Sequence, residues 1–191
     1  MYTEIIEIMA VIFGLIQGLL VWANKRSNWI FYCLQYVLLA IFSYSVHLYG
    51  DVTNSIFYFC VGLIGWFLWN RNKKELPIRK CSNIERAIYV SIIVISTVIY
   101  YVILSKTNDP LPILDAITTT TSFVATYYMV TKKTETWVLW FINDILYVTE
   151  YWLLPDQALY LMILNIIWTG MAIGSYITWN KMYKEQEENQ T

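Results

Sequence analysis

Residues 29–36 read WIFYCLQY and residues 137–144 read WVLWFIND. Each stretch opens on a tryptophan and a β-branched residue, fills with aromatic and aliphatic side chains, and places an amide six residues after the tryptophan: Gln35 after Trp29, Asn143 after Trp137. The similarity extends both ways. Lys25-Arg26 and Lys132-Lys133 precede the two stretches, while Trp69-Asn70-Arg71 and Trp179-Asn180-Lys181 follow, themselves preceded by Gly65-Trp66 and Ser175-Tyr176. The offset drifts only from 107 to 110 residues, as small changes of loop length would produce, one of them near Gly50-Asp51 against Pro155-Asp156. One unit is written twice.

The solvent of that unit follows from composition. Of 191 residues, 58% are hydrophobic and 17% aromatic, and only 14% are charged. Soluble domains carry roughly 45–50% apolar and about 25% charged residues, so a bilayer is indicated. A spanning helix needs roughly 20 mostly apolar residues. Seven stretches qualify, at about 3–23, 29–48, 52–69, 84–105, 112–131, 136–154 and 158–179. Glu4 and Glu7 stand where a secretion signal would be basic, so the first stretch is expected to be a permanent helix.

Numbering the spans 1 to 7 puts twelve of the thirteen Lys and Arg residues on one side, with Lys106 alone opposite. The positive-inside rule then predicts a plasma-membrane protein with its N-terminus outside and its C-terminus cytoplasmic. A three-helix unit starts outside and ends inside, so a second copy in the same orientation needs one extra crossing. Span 4 supplies it. The expected organisation is a first three-helix repeat over 1–70, a basic cytoplasmic loop over 71–83, a linker helix over 84–105, a second repeat over 106–182 and a solvated polar tail over 183–191. The basic loop reads as an orientation signal beside anionic lipid. Parallel repeats about an axis along the membrane normal are a transporter pattern, with the substrate site near the midplane where the repeats meet.

The three-plus-one-plus-three layout, YFCVGLIGWFLWN closing the first repeat, WVLWFIND opening span 6 and ALYLMILNIIWTGMAIGSYITWN in span 7 together resemble the PnuC family of vitamin-precursor transporters. The resemblance covers nearly the whole chain. It implies an all-α, SWEET-like fold and uptake by facilitated diffusion, with a cytosolic kinase trapping the cargo by phosphorylation and without necessary contact between kinase and transporter. Nicotinamide riboside is the first expectation for the cargo; thiamine, riboflavin and other nucleosides are carried by relatives. A homotrimer is the family-based expectation for assembly.

The polar residues of the spans are the candidate substrate contacts. Trp140, Asp144, Tyr147 and Tyr151 recur at steps of four, three and four on one helical face, with Asn143 beside them. Asp144 lies ~10 Å from Trp137 along the helix, deep in a hydrocarbon layer of ~30 Å, and an ionisable group there is a functional candidate by default. The alternative is a structural carboxyl bonded between helices. Asn165 with Thr169, Ala172 and Tyr176 mark a face of span 7, with Trp168 beside it. Asn54, Tyr58 and Gly65 mark span 3, and Tyr32, Gln35 and Tyr36 mark span 2. A flat heteroaromatic vitamin needs aromatic faces for stacking and a few amides for its hydroxyls, which these faces offer. Trp66, Trp140 and Trp168 are deep enough either to stack on cargo or to pack.

Other features have plainer readings. Trp29, Trp69, Trp137 and Trp179 border the basic loops and are expected in the interfacial aromatic belt. Gly14 and Gly18, and the repeat-equivalent Thr121 and Ala125, are small-residue pairs for close helix contact. Thr118 to Ser122 either line the pathway or bond back to their own helix, and Gln17 is a lesser pathway candidate.

Cys33, Cys60 and Cys81 show no ligand-like spacing and the one histidine, His47, is not near them in sequence, so no metal and no cofactor is expected. Neither HExxH nor GxSxG occurs, which argues against an enzyme. No nucleic-acid partner is expected. A seven-helix sensor is the competing class, but it would not require the repeat, and SWEET-type sugar transport is the runner-up within transporters.

Overall fold

The computed structural model describes residues 2–45, 49–71, 76–106, 109–153 and 159–189. His47, Pro155 and Asp156, and the side chains of Asn54 and Tyr151, lie outside the described part. Seven helices follow one another: α1 Tyr2–Trp22, α2 Asn28–Ser45, α3 Tyr49–Asn70, α4 Asn83–Leu104, α5 Pro112–Val130, α6 Thr136–Leu153 and α7 Leu159–Glu188. Among the described residues the only strand-like feature is a single backbone bridge between Arg79 and Lys133. The fold is all-α, and the first six helices end within a few residues of the expected spans.

The seventh does not. The polar tail was expected to have no fold of its own, yet α7 runs 30 residues, ~45 Å at the rise of a helix and well beyond ~30 Å of hydrocarbon. Its last turns carry Lys181, Lys184, Glu185, Glu187 and Glu188 past the apolar stretch. They have partners: Gln186 Oε1 accepts from the Ile78 N–H at 3.0 Å, and Lys80 sits 4.7 Å over the Tyr183 ring. A polar sequence continued the helix because neighbouring backbone and side chains gave its groups something to bond.

The chain forms two compact units, Met1–Leu76 and Pro77–Thr191. In the first, α1 packs on α2 and α2 on α3; in the second, α4 packs on α5, α5 on α6 and α6 on α7. Among the described residues α4 and Met162–Glu188 of α7 are long and apolar enough to cross a membrane unaided, and α1, α2 and α3 contain shorter apolar stretches. The other helices interrupt their apolar sequence with polar residues turned inward. In α5 Thr118, Thr120, Thr121, Ser122 and Thr126 are all buried.

The turns after α1 and α5 are the same turn. Asn24 and Lys132 both have φ 54. In the first turn Asn24 N–H reaches Val21 O at 2.9 Å and Lys25 N–H reaches Leu20 O at 2.8 Å; in the other, Lys132 N–H reaches Met129 O at 3.1 Å and Lys133 N–H reaches Tyr128 O at 2.8 Å. This is the Schellman arrangement, in which a left-handed residue lets the next N–H groups close the last helical carbonyls. The usual apolar contact beneath it is replaced in the turn after α5 by Lys133 Nζ, 5.3 Å over the Tyr128 ring and 2.7 Å from Glu85 Oε1. The hydrogen bonds set the register here at 108 residues, so Asn24-Lys25 matches Lys132-Lys133. The pairing of Lys25-Arg26 with Lys132-Lys133 is one residue out. Gly14 and Gly18 then correspond to Ser122 and Thr126 rather than to Thr121 and Ala125.

The four tryptophans next to the basic loops are not a lipid-facing belt. Trp29, Trp69, Trp137 and Trp179 are 0, 1, 6 and 0% exposed. Trp29 meets Trp69 edge to face at 5.5 Å and 89°, and Trp137 meets Trp179 at 5.2 Å and 88°. Each pair clamps two helices, α2 to α3 and α6 to α7, by setting the edge of one ring against the face of the other. Gly65 makes room: a Cβ there would fall 2.5 Å from the Trp29 ring.

The segment before α4 is a strap. Arg79 N–H donates to Lys132 O at 2.9 Å and its carbonyl accepts from Thr134 N–H at 3.0 Å, which lays the chain along the α5–α6 turn. Ser82 then caps α4 in a reciprocal capping box with Glu85.

Candidate functional site

Each unit carries part of the polar and aromatic set. In the first, Gln35 is buried and its amide lies against Gly14, where a Cβ would come 2.7 Å from Nε2. The next residue, Tyr36, stacks on Tyr58 with centroids 5.0 Å apart and planes 23° apart. Tyr32 leans on Tyr36 at 4.7 Å and on Trp29 at 5.4 Å. The structure thus joins Tyr36 and Tyr58, with Tyr32 and Trp29, in one aromatic cluster of α2 and α3, while Gln35 faces Gly14 of α1. Trp66 is not part of it; its side chain is 39% exposed. Asn54 falls outside the described side chains. Ser55, which sequence reading passed over, is buried on α3, 110 residues before buried Asn165 and so its counterpart in the register set by Trp69 and Trp179.

The second unit holds the denser polar group. Asn143 is fully buried, and its Nδ2 donates to Ser122 Oγ at 2.9 Å. Ser122 Oγ gives its one proton to Thr118 O at 2.7 Å, so it receives from Tyr147 OH at 3.3 Å. A hydroxyl has one donor and two acceptor sites, and all are used. This saturation orients the amide of Asn143. Among the described residues its Oδ1 then has no hydrogen-bond partner, although a buried acceptor of this kind costs about 1–3 kcal/mol when left unmade.

Asp144, the next residue, is 2% exposed and has no ion-pair or hydrogen-bond partner among the described residues. A carboxylate buried in this way is tolerated when a proton or a bound cation neutralises it. Trp140 and Tyr147 are half-buried on the same helix and Trp168 is half-buried on α7, so aromatic surface flanks the two polar groups.

Sequence reading also missed how far this polar line continues. Thr118 Oγ1 lies 3.2 Å from Glu150 Oε2, and Thr119 Oγ1 donates to Asp115 Oδ1 at 3.1 Å. From Asn143 through Ser122, Tyr147 and Thr118 to Glu150, the α5–α6 contact is a ladder of hydroxyls ending on a carboxyl. The Thr118–Ser122 run bonds back to its own helix, as one of the two expectations had it. Thr118, Thr120 and Ser122 bond back to carbonyls of α5, while the same oxygens also reach Glu150, Thr97 and Asn143. The signal for Glu150 was its spacing, seven residues after Asn143 on α6 and therefore on the same face.

The match to a family model described as the nicotinamide mononucleotide transporter extends over residues 4–181. The chain belongs to that family. It is therefore a multi-pass membrane protein of a family of transporters. Family relatives bearing the name nicotinamide riboside transporter PnuC include one from Neisseria mucosa, 25% identical over 92% of this chain and 72% of the relative. Another, from Escherichia coli, is 25% identical over 95% of this chain and 87% of its own length. The family fold is seen directly in a crystal structure of the vitamin B3 transporter PnuC, which superposes with a TM-score of 0.76 at 24% identity, covering 93% of this chain and 81% of that one. The all-α architecture expected of the family matches the seven helices found.

Proposed function

We propose that this chain takes up nicotinamide riboside, the cargo its relatives are named for, by facilitated diffusion, with trapping by a cytosolic kinase that phosphorylates the cargo. The observation that carries the reading is the Asn143–Asp144 pair: a fully buried amide with an open acceptor beside a buried carboxyl, neither atom partnered among the described residues. The riboside is a nucleoside whose pyridinium ring is cationic. Its charge would offset the carboxylate, its hydroxyls or carboxamide N–H would satisfy Oδ1, and its ring would find aromatic faces at Trp140 and Tyr147.

The family's description names the mononucleotide, but the distribution of positive charge favours the riboside. No Lys or Arg lies in α1, α2, α3, α5 or α6; Arg86 is in the first turns of α4, and Lys181 and Lys184 are near the end of α7. A phosphate at membrane depth would lack the basic partner that such a charge requires.

The remaining substrate contacts in this reading are Gln35, Tyr36, Asn54, Tyr58, Trp66, Asn165 and Trp168. The arrangement we propose is 3+1+3, two parallel repeats with α4 as the extra crossing. The turns of identical hydrogen bonding and the matching tryptophan pairs support it. The N-terminus is outside and the C-terminus cytoplasmic, as the one-sided Lys and Arg residues favour, and the resemblance to the family adds a homotrimer.

The test is calorimetric titration of the purified protein with the riboside, its reduced neutral form and the mononucleotide. Asp144→Asn keeps size and removes charge. It is expected to weaken the cation by about 1–3 kcal/mol, the range for a hydrogen bond to a charged group, and to change the neutral form much less. Binding of the mononucleotide as tight as that of the riboside would contradict the proposal, as would an Asp144→Asn protein that binds all three like the parent.

A further inference from the structure

A lateral groove in the second unit has the chemistry of a lipid site. Its wider end is a cavity of about 410 Å³ where the strap meets α4, α5, α6 and α7, with Lys80, Arg86, Thr134 and Asn180 at its polar rim and Val90, Ile93 and Leu139 in its wall. A second cavity of about 220 Å³ continues between α6 and α7 over Phe141, Ala172 and Ile173. Val138 and Tyr176 line both. The two are one groove, polar at one end and apolar along the rest.

The groove opens sideways. Val90, Val138, Ile173 and Tyr176 are 58, 42, 49 and 43% exposed, and the apolar part of α4 beside them is not buried within the chain. In a membrane protein such a surface meets hydrocarbon, so the occupant reaches the groove from the bilayer.

Charge decides what kind of lipid. The rim holds two cations, Lys80 and Arg86, and one carboxylate, Glu135. Glu135 is already committed: it takes Arg86 at 2.7 Å and the Cys81 N–H at 3.1 Å. One positive charge is left over, carried by exposed Lys80, which rests on the Tyr183 ring of the α7 tail. Thr134 and Asn180 add uncharged hydrogen-bonding groups.

We infer that this groove binds one anionic phospholipid, with its phosphodiester at Lys80 and an acyl chain along Val138, Tyr176 and Ile173. A soluble phosphate would leave the apolar length uncovered, and a zwitterionic lipid would bring a second cation to a rim already positive. Basic pockets between membrane helices bind anionic headgroups for this reason.

The experiment is native mass spectrometry of the full-length protein in micelles doped with phosphatidylglycerol or phosphatidylcholine. Phosphatidylglycerol is expected to stay bound in preference. Lys80→Ala should retain it about fivefold less, the effect of one basic residue at a membrane surface, and Lys80→Arg should restore retention. Val138→Trp, which fills the wall shared by both cavities, should lower retention while leaving the Arg86–Glu135 pair intact, and it keeps the test decisive if Lys80→Ala folds poorly. Equal retention of the two lipids would overturn the inference. So would competition by glycerol phosphate as strong as by lipid, or a Val138→Trp protein that loses an oligomer but no lipid.

Discussion

Asn143 is oriented by a neighbour that has no hydrogen-bonding capacity to spare. Ser122 donates to Thr118 O and accepts from Asn143 and Tyr147, so Ser122→Ala leaves a buried amide N–H unmade and releases the amide to turn. The variant is expected to lose about 1–3 kcal/mol of stability and to bind the cationic and neutral forms of the cargo equally less well, because an amide reads hydroxyls whatever the net charge. Unfolding scans and titration with both compounds check this; a selective loss of the cation would mean that Ser122 acts on Asp144 instead. A second residue-scale prediction concerns Glu135. Burial pushes its carboxyl up, but hydrogen bonds from Arg86 and the Cys81 N–H outweigh burial and hold it below the ordinary carboxylate range. A group lowered in the folded state stabilises the fold above its unfolded pKa, about 4.3, and the contribution is lost as pH falls through the lower folded value. Glu135→Gln should therefore cost about 1–2 kcal/mol at neutral pH, at the low end for charged hydrogen bonds because Arg86 is half exposed. The difference from the parent should vanish in acid, as unfolding at a series of pH values would reveal.

At the scale of the element, two helical glycines, one on α3 and one on α7, have opposite surroundings. A Cβ at Gly65 would enter the Trp29 ring at 2.5 Å, whereas a Cβ at Gly170 meets nothing within 4 Å. Gly65→Ala must displace a ring that is also packed edge to face with Trp69 and is expected to destabilise by about 1–3 kcal/mol. Gly170→Ala relieves the entropy of a helical glycine and should stabilise by about 0.5–1 kcal/mol. Thermal unfolding of the two variants in one detergent separates them, and equal midpoints would refute the tryptophan clamp as the reason for Gly65. The same clamp explains why a belt reading of the tryptophans failed. Position next to a basic loop fixes depth in the bilayer but not the direction in which the ring points.

At the scale of the molecule, the orientation proposal makes a prediction about accessibility. After replacement of Cys33, Cys60 and Cys81, a single cysteine at exposed Lys106 should react with an impermeant reagent on intact cells, and one at exposed Arg79 should react only after lysis. The reverse pattern would invert the topology. Sequence by itself determined the seven helices and their boundaries to within a few residues except at the end of α7. It could do so because apolar runs and interruptions are local. It also picked out Asn143 and Asp144, since a polar group deep in an apolar run is conspicuous in one dimension. Only the tertiary structure decided that the boundary tryptophans face each other, that Ser122 rather than Thr121 stands where Gly14 does, that Glu150 joins the polar line, and that the charged tail stays helical. Each of these depends on which side chain of a second helix lies within about 3–5 Å, and hydropathy along one strand of sequence carries no such distance.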